Sequence, residues 1–276
     1  MSSENRFMEV LRAQPLSWTL AWLGRRPQRA SPPADPLHSD VPVLRRAEMA
    51  AVYHGQRVAG DFYEFLRVGR SRVVFGLFDI AGRREETRKI LIGAQETFRT
   101  LAPQLFSADH FNEPEAMVEL CCALNRTILQ CAGGVRSCPA FIGCYHEDLG
   151  TLCYANAGHT PALLRDSSGI ATLEATGLPL GLFSHVTQSA STCALVPGAV
   201  LLVVSRGIVE TEADAEGFGL DGVKRVLHQS SAQSASDMCL AVLSEARYFM
   251  RSSPTGNDIT ALALLRRANP INQASL

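Results

Sequence analysis

The spacing of apolar residues changes along this chain, and each change predicts an element. From 61 to 79, β-branched and aromatic residues fill two arms on either side of Gly69-Arg70. That pattern predicts strand, turn, strand, with a two-residue hairpin loop and Gly at its first central position. Asp61 opens the hairpin and Asp79 closes it, so antiparallel pairing brings both carboxylates to one end of a sheet. The period then becomes helical. Ile90, Leu91, Ala94, Phe98 and Leu101 predict a helix over 84–102, and Met117, Leu120, Cys121, Leu124, Ile128 and Cys131 predict another over 114–131, where Pro114 suits the first turn. Short strands are expected at 139–146, 151–156, 161–165, 170–174 and 199–205, with "EDLG" and "RDSSG" as turns. Helices near 219–228 and 235–250 precede a last strand, "DITALALLRR". Helices laid on antiparallel strands without repeated βαβ units predict an α+β fold.

The first forty residues differ. "FMEVLRAQPLSWTLAWLGRRPQ" is amphipathic, and "RASPPADPLHSD" is a Pro/Ser linker, so residues 1–40 form a separate segment, 41–267 the domain, and 268–276 a flexible tail. Within residues 16–26, Trp18, Leu20, Trp22 and Leu23 with Arg25 and Arg26 could dock on a membrane surface or a partner, or cover the protein's own surface.

With 46% hydrophobic and 19% charged residues, the 276-residue chain has the means to bury a sizeable core. A formal charge of −1 and the lack of a basic stripe argue against nucleic acid as a partner. The eight cysteines form no C-x-x-C pair and lie mostly in apolar segments, which reads as reduced, buried thiols in a cytoplasmic protein. No apolar run approaches the roughly 20 residues of a membrane span, and the N-terminus lacks a signal-peptide core.

Two strands end in opposite charges. "VVFGLFDIAG" runs into Asp79, whereas "LLVVSRGIVET" runs into Arg206. Together with "RVAGDFYEF", "LGTLCYANAGHTPALLR", "GLPLGLF", "FGLDGVKRVL" and "GNDITALALLRR", these pieces resemble, in order and spacing, the metal-dependent PPM-type protein phosphatases, in their bacterial SpoIIE/RsbU-like branch. The resemblance covers about residues 43–267 and is most specific in "YANAGHTPALL". It implies an α-β-β-α sandwich, two packed antiparallel sheets flanked by helices. It also implies a dinuclear Mn²⁺ or Mg²⁺ site between the sheet ends, and hydrolysis of phosphoserine or phosphothreonine on small regulatory proteins such as anti-sigma-factor antagonists. Two divalent ions need several carboxylates to neutralise them while a bridging hydroxide attacks phosphorus.

On that resemblance Asp61 and Asp79 are the catalytic, metal-binding acids. The two remaining ligand positions hold Arg206, in Ser205-Arg206-Gly207, and Asn257, beside Asp258. A carbonyl oxygen of Asn can still coordinate a hard cation. A guanidinium about 4 Å from a divalent ion, however, costs about 8 kcal/mol at an effective dielectric near 20. The expectation is therefore a degenerate centre in which Asp61, Asp79 and Asp258 bind metal weakly or not at all, and the Arg206 fork bridges Asp79 and either Asp61 or Asp258. The alternative is that Arg206 turns to solvent and one metal stays. Gly82, Arg83 and Arg84 should form the mouth, where the family usually has His-Gly after the turn. His159 reads as part of a structural turn, and Ser205 has no G-x-S-x-G frame. The functional expectation is an impaired phosphatase that binds a regulatory protein or self-associates, with an active phosphatase as the alternative.

Overall fold

The chain divides into two units, Met1–Ala34 and Asp35–Leu276. The computed structural model describes residues 39–55, 60–80, 82, 84–107, 111–185, 187–210, 212–213, 216–250 and 258–268, all within the second unit. The amphipathic segment, Arg83, Asn257 and residues 269–276 lie outside the described residues, as does the Arg84 side chain.

Strand β1 (Ala47–His54) is followed by the hairpin of β2 (Gly60–Val68) and β3 (Arg72–Ile80), then by helices α1 (Arg84–Phe106) and α2 (Glu113–Ala132). Strands β4 (Ala140–His146), β5 (Thr151–Ala157), β6 (Ala162–Asp166), β7 (Gly169–Leu173), β8 (Ser191–Ala194) and β9 (Val200–Val204) come next. The short helix α3 (Arg206–Val209) leads through the two-residue strands β10 (Glu212–Ala213) and β11 (Glu216–Gly217) to α4 (Gly219–Gln229), α5 (Ala235–Phe249) and β12 (Ile259–Arg266). One five-stranded sheet has the order β1-β12-β9-β6-β7 and the other β2-β3-β4-β5-β8, with antiparallel pairing in both. Among the described residues no helix is long and apolar enough to cross a membrane.

The alternation of side chains makes the layers. On β3, Val73, Phe75 and Leu77 join Leu201 and Val203 of β9 and Leu262 and Leu264 of β12 in the core between the sheets. Their neighbours Val74, Phe78 and Ile80 face outward and pack under Phe98 of α1 and Leu120 of α2. Leu202, Val204 and Ala263 likewise pack under Val223 of α4 and Val242 of α5. The result is the α-β-β-α sandwich the resemblance implied. Local signals set α2 clearly: Asn112 caps it by accepting from the Glu115 N–H at 3.3 Å, and Gly133 ends it at φ 64°.

Parity fixes where the acids point. Asp79 continues the inward row Val73-Phe75-Leu77, and Asp61 sits on the inward row that contains Phe65. The hairpin loop corrects the expectation above. Val68 pairs with Arg72, so Gly69, Arg70 and Ser71 form a three-residue loop rather than a two-residue one. The extra residue sets Asp61 directly opposite Asp79, where a two-residue loop would have offset them by one position and sent them to opposite faces. β1, β8 and α3 were not anticipated. β1 pairs with β12 along its whole length, Ala47 with Arg266 to His54 with Ile259, and so owes its place to a partner some 200 residues away in sequence.

Buried Glu147, at the β4–β5 turn, anchors the entry to β1. Its carboxylate accepts the backbone N–H groups of Arg45 and of Arg46, the latter at 2.8 Å, and pairs with Arg67 at 3.4 Å. Glu147→Ala would leave those N–H groups without their acceptor, so stability should fall by about 3 kcal/mol, read as a lower urea midpoint.

Candidate active site

Asp61 and Asp79 face each other at the end of the β2–β3 hairpin, with the ends of β9 and β12 supplying their surroundings. Thr260, on the inward row of β12, donates its hydroxyl to Asp61 Oδ2 at 3.2 Å. Ser205, one residue beyond β9, is fully buried; its Oγ accepts the Thr260 N–H at 3.0 Å, while its own N–H donates to Thr260 O at 2.9 Å. The Ser205 hydroxyl thus stitches the two strand ends together, which is a structural task.

Burial pushes the Asp61 carboxyl up to about 8, and the nearby Asp79 charge pushes the same way. Hydrogen bonds from Thr260 and Ser205 oppose this, and Asp258 adds a further upward push. Asp79, also buried, is raised by desolvation, but the Arg206 guanidinium draws it back down. Two like charges held directly across a strand pair resist simultaneous ionisation, which leaves Asp61 holding a proton near neutrality.

Arg206 is the first residue of α3, immediately after Ser205. Its Nε lies 3.5 Å from Asp79 Oδ2 and 3.6 Å from Glu210 Oε2. The expected contact with Asp79 forms. The second carboxylate is Glu210, not Asp61 or Asp258, because a turn of α3 places residue 210 beside residue 206. Nε makes this contact, and the side chain stays 50% exposed. Gly207 is dictated by close packing, since a Cβ there would sit 2.3 Å from Asp258 O. Asp258, immediately before β12, is buried with Oδ1 close against Gly55, where a Cβ would come within 2.2 Å.

Just beyond β3, Gly82 has φ 125° and packs against Arg136, whose Nη1 would be 2.7 Å from a Cβ and is 3.6 Å from Glu86 Oε2. Arg136, Glu210 and Thr260 were missed in the sequence. Only Glu210 left a signal there, four residues after Arg206. His159 is buried after β5: its N–H donates to Asn156 Oδ1 at 2.8 Å, and its Nδ1 lies 3.0 Å from Thr160 Oγ1. Thr160 Oγ1 in turn donates to Val204 O. Burial lowers the His159 imidazole to about 4, so it is neutral and serves the turn that holds the end of β9.

Among the described residues, no group of three His, Cys, Asp or Glu side chains is placed to hold a metal ion. Asp61 and Asp79 converge, and the cation beside them is a guanidinium.

The family model for stage II sporulation protein E (SpoIIE) matches residues 70–267. The chain belongs to the SpoIIE family. Protein IcfG of Synechocystis sp. is 24% identical over 253 residues, covering 82% of this chain and 39% of IcfG. The chain thus spans about two fifths of that relative. The RsbU and RsbW domains of Rv1364c from Mycobacterium tuberculosis superpose with a TM-score of 0.62 at 24% identity, over 83% of this chain and 63% of theirs. The PP2C phosphatase domain with a regulatory fragment of SpoIIE from Bacillus subtilis gives 0.64 at 18% identity, over 82% and 63%. Likeness at these identities establishes the fold: this is a PPM-type domain of the SpoIIE/RsbU kind.

The raised Asp61 carboxyl makes stability depend on pH with a definite sign. Its folded value lies above the unfolded 3.8, so its contribution is complete below pH 4 and is lost as pH climbs toward about 8. Urea midpoints of the wild type measured in a chelating buffer should fall across that window, and Asp61→Asn should flatten the fall.

Proposed function

We propose that this SpoIIE-family domain has exchanged its metal-dependent chemistry for binding, and that it acts by holding a regulatory protein. The observation that carries this is the 3.5 Å contact between Arg206 Nε and Asp79 Oδ2. A permanent cation already stands where the resemblance puts a metal-binding carboxylate, and it neutralises the acid that would bridge two metals. Bringing a divalent ion to Asp79 means breaking that pair and accepting the guanidinium's repulsion. The partner class follows from the family, whose substrates are small regulatory proteins of the anti-sigma-factor-antagonist kind, and Rv1364c carries its RsbU and RsbW domains on one chain. Self-association of the chain is the other use for such a domain. The eight cysteines are all free, which agrees with a reducing, cytoplasmic setting.

A second reading keeps the enzyme. Asp258 is buried and close enough to raise Asp61, so three carboxylates share one neighbourhood, and half-exposed Arg206 has room to swing outward. On that reading the chain is a Mn²⁺- or Mg²⁺-dependent phosphoserine/phosphothreonine phosphatase with one weak metal.

Calorimetric titration with Mn²⁺ separates the two. The wild type should give no heat of binding in the micromolar range, and Arg206→Asp with Asn257→Asp should gain it. Micromolar binding at two sites in the wild type would sink the proposal. In the enzymatic reading, p-nitrophenyl phosphate is hydrolysed in a Mn²⁺-dependent manner that Asp79→Ala abolishes.

A further inference from the structure

Arg136 connects the mouth of the site to a second feature. Its N–H donates to Gly181 O at 3.0 Å, and Cys138 and Leu180 exchange backbone hydrogen bonds of 2.8 and 3.0 Å, so the segment leading into β4 is zipped to the long connection between β7 and β8. That connection is clamped onto α2. Asn125 donates Nδ2 to Phe183 O at 3.0 Å and accepts the Gly181 N–H on Oδ1 at 2.7 Å, which engages both ends of its amide. Gly181, at φ 77°, has no room for a side chain, because a Cβ would meet Arg136 O at 2.2 Å and Ile128 Cγ2 at 2.6 Å. Further along, Gln188 Nε2 donates to Leu178 O at 2.8 Å. The walls are therefore fixed by hydrogen bonds rather than left to a free loop.

Between the clamps lies a cavity of about 330 Å³. It is at the small end of the roughly 300–1,000 Å³ typical of ligand pockets, and it opens to solvent. Its lining contains Arg126 and His185, hydroxyls of Ser184 and Thr187, and no acid. Arg126 is exposed, and its Nε donates to Cys122 O of its own helix at 3.3 Å. Among the described residues no carboxylate pairs with it. On the same two zipped segments, Val135, Leu178 and Phe183 are more than half exposed although large and apolar. An unneutralised guanidinium in a pre-formed groove, flanked by apolar side chains and tied through Gly181 to Arg136, is complementary to one kind of surface.

We infer that this groove docks an acidic segment of a protein partner, with carboxylates on Arg126 and His185 and an apolar side chain against Phe183 and Leu178. The inference rests on the reading that the domain works by holding a protein, and it says where that protein is gripped. Docking here would lay the partner across Val135 and Arg136 toward Gly82 and Asp79.

The test uses the full chain and fluorescence anisotropy with a labelled peptide, Glu-Glu-Leu-Glu-Glu-Phe, against one with Lys for Glu and one with Ser for Leu and Phe. The acidic apolar peptide should bind at least roughly tenfold more tightly than either control and weaken as salt rises. Arg126→Glu and His185→Glu should each reduce its affinity by roughly tenfold or more, and Phe183→Ser should do the same. All three positions are exposed, and thermal melts would report any loss of fold. Equal binding of the Lys peptide, or wild-type affinity in Arg126→Glu, overturns the inference. So does Arg126-dependent binding to phosphatidylserine vesicles without binding of the peptide. If the peptide docks and the protein also binds two manganese ions, the groove stands and the proposed loss of chemistry falls. If neither peptide nor manganese binds, the groove alone is removed.

Discussion

Two carboxylates pointing at each other across a strand pair impose the central constraint on this molecule. Asp61 and Asp79 are cross-strand partners on the inner face of a sheet, where water screens them only in part. Such a pair must take up a proton, a metal or an organic cation. The structure supplies a guanidinium laid against Asp79, and burial favours a proton on Asp61. The surrounding architecture serves that arrangement. Three loop residues set the register, Thr260 and Ser205 join the ends of β9 and β12, and α3 starts at the point that carries Arg206 to the mouth.

Much of this was legible in the sequence because it is local or periodic. The helices expected over 84–102 and 114–131 declare themselves by a 3.6-residue period and by Pro114, and a hairpin near residue 70 brings Asp61 and Asp79 to the same end of a sheet, although the loop length decides whether they share a face. What stayed hidden depends on parts of the chain far apart. β1 becomes a strand by pairing with β12, and Arg136 reaches Gly82 only because α2 and β4 fold back over the hairpin. The loop length is hidden because Gly69-Arg70 satisfies a two-residue turn locally, while Ser71 joins it through pairing decided further along the strands. The pairing of Arg206 with Glu210 is hidden for a different reason: the apolar run reads as a strand through residue 205, and the four-residue spacing acquires meaning only with the helical turn that begins at 206.

The site's ion pair also differs in kind from the pairs that hold the fold. Arg99 grips buried Glu64 with its fork, Nε to Oε2 at 3.1 Å and Nη2 to Oε1 at 3.2 Å, while Gln95 adds a hydrogen bond of 2.7 Å. That geometry ties α1 to β2 three residues from Asp61. It is the bidentate arrangement in which a guanidinium binds a carboxylate best. Arg206 has the same chemical means but meets Asp79 at the longer distance of 3.5 Å, lies 3.6 Å from Glu210 through the same Nε and leaves half its side chain in water. A residue placed to stabilise the sandwich would not be held so loosely. Packing does not require a guanidinium there either, since the groove beside α3 is closed by Gly207 against Asp258 O and by Ile208 in the core. The requirement it meets is electrostatic: a cation beside Asp79. That places its consequence on the chemistry of the site and leaves the fold nearly indifferent to it.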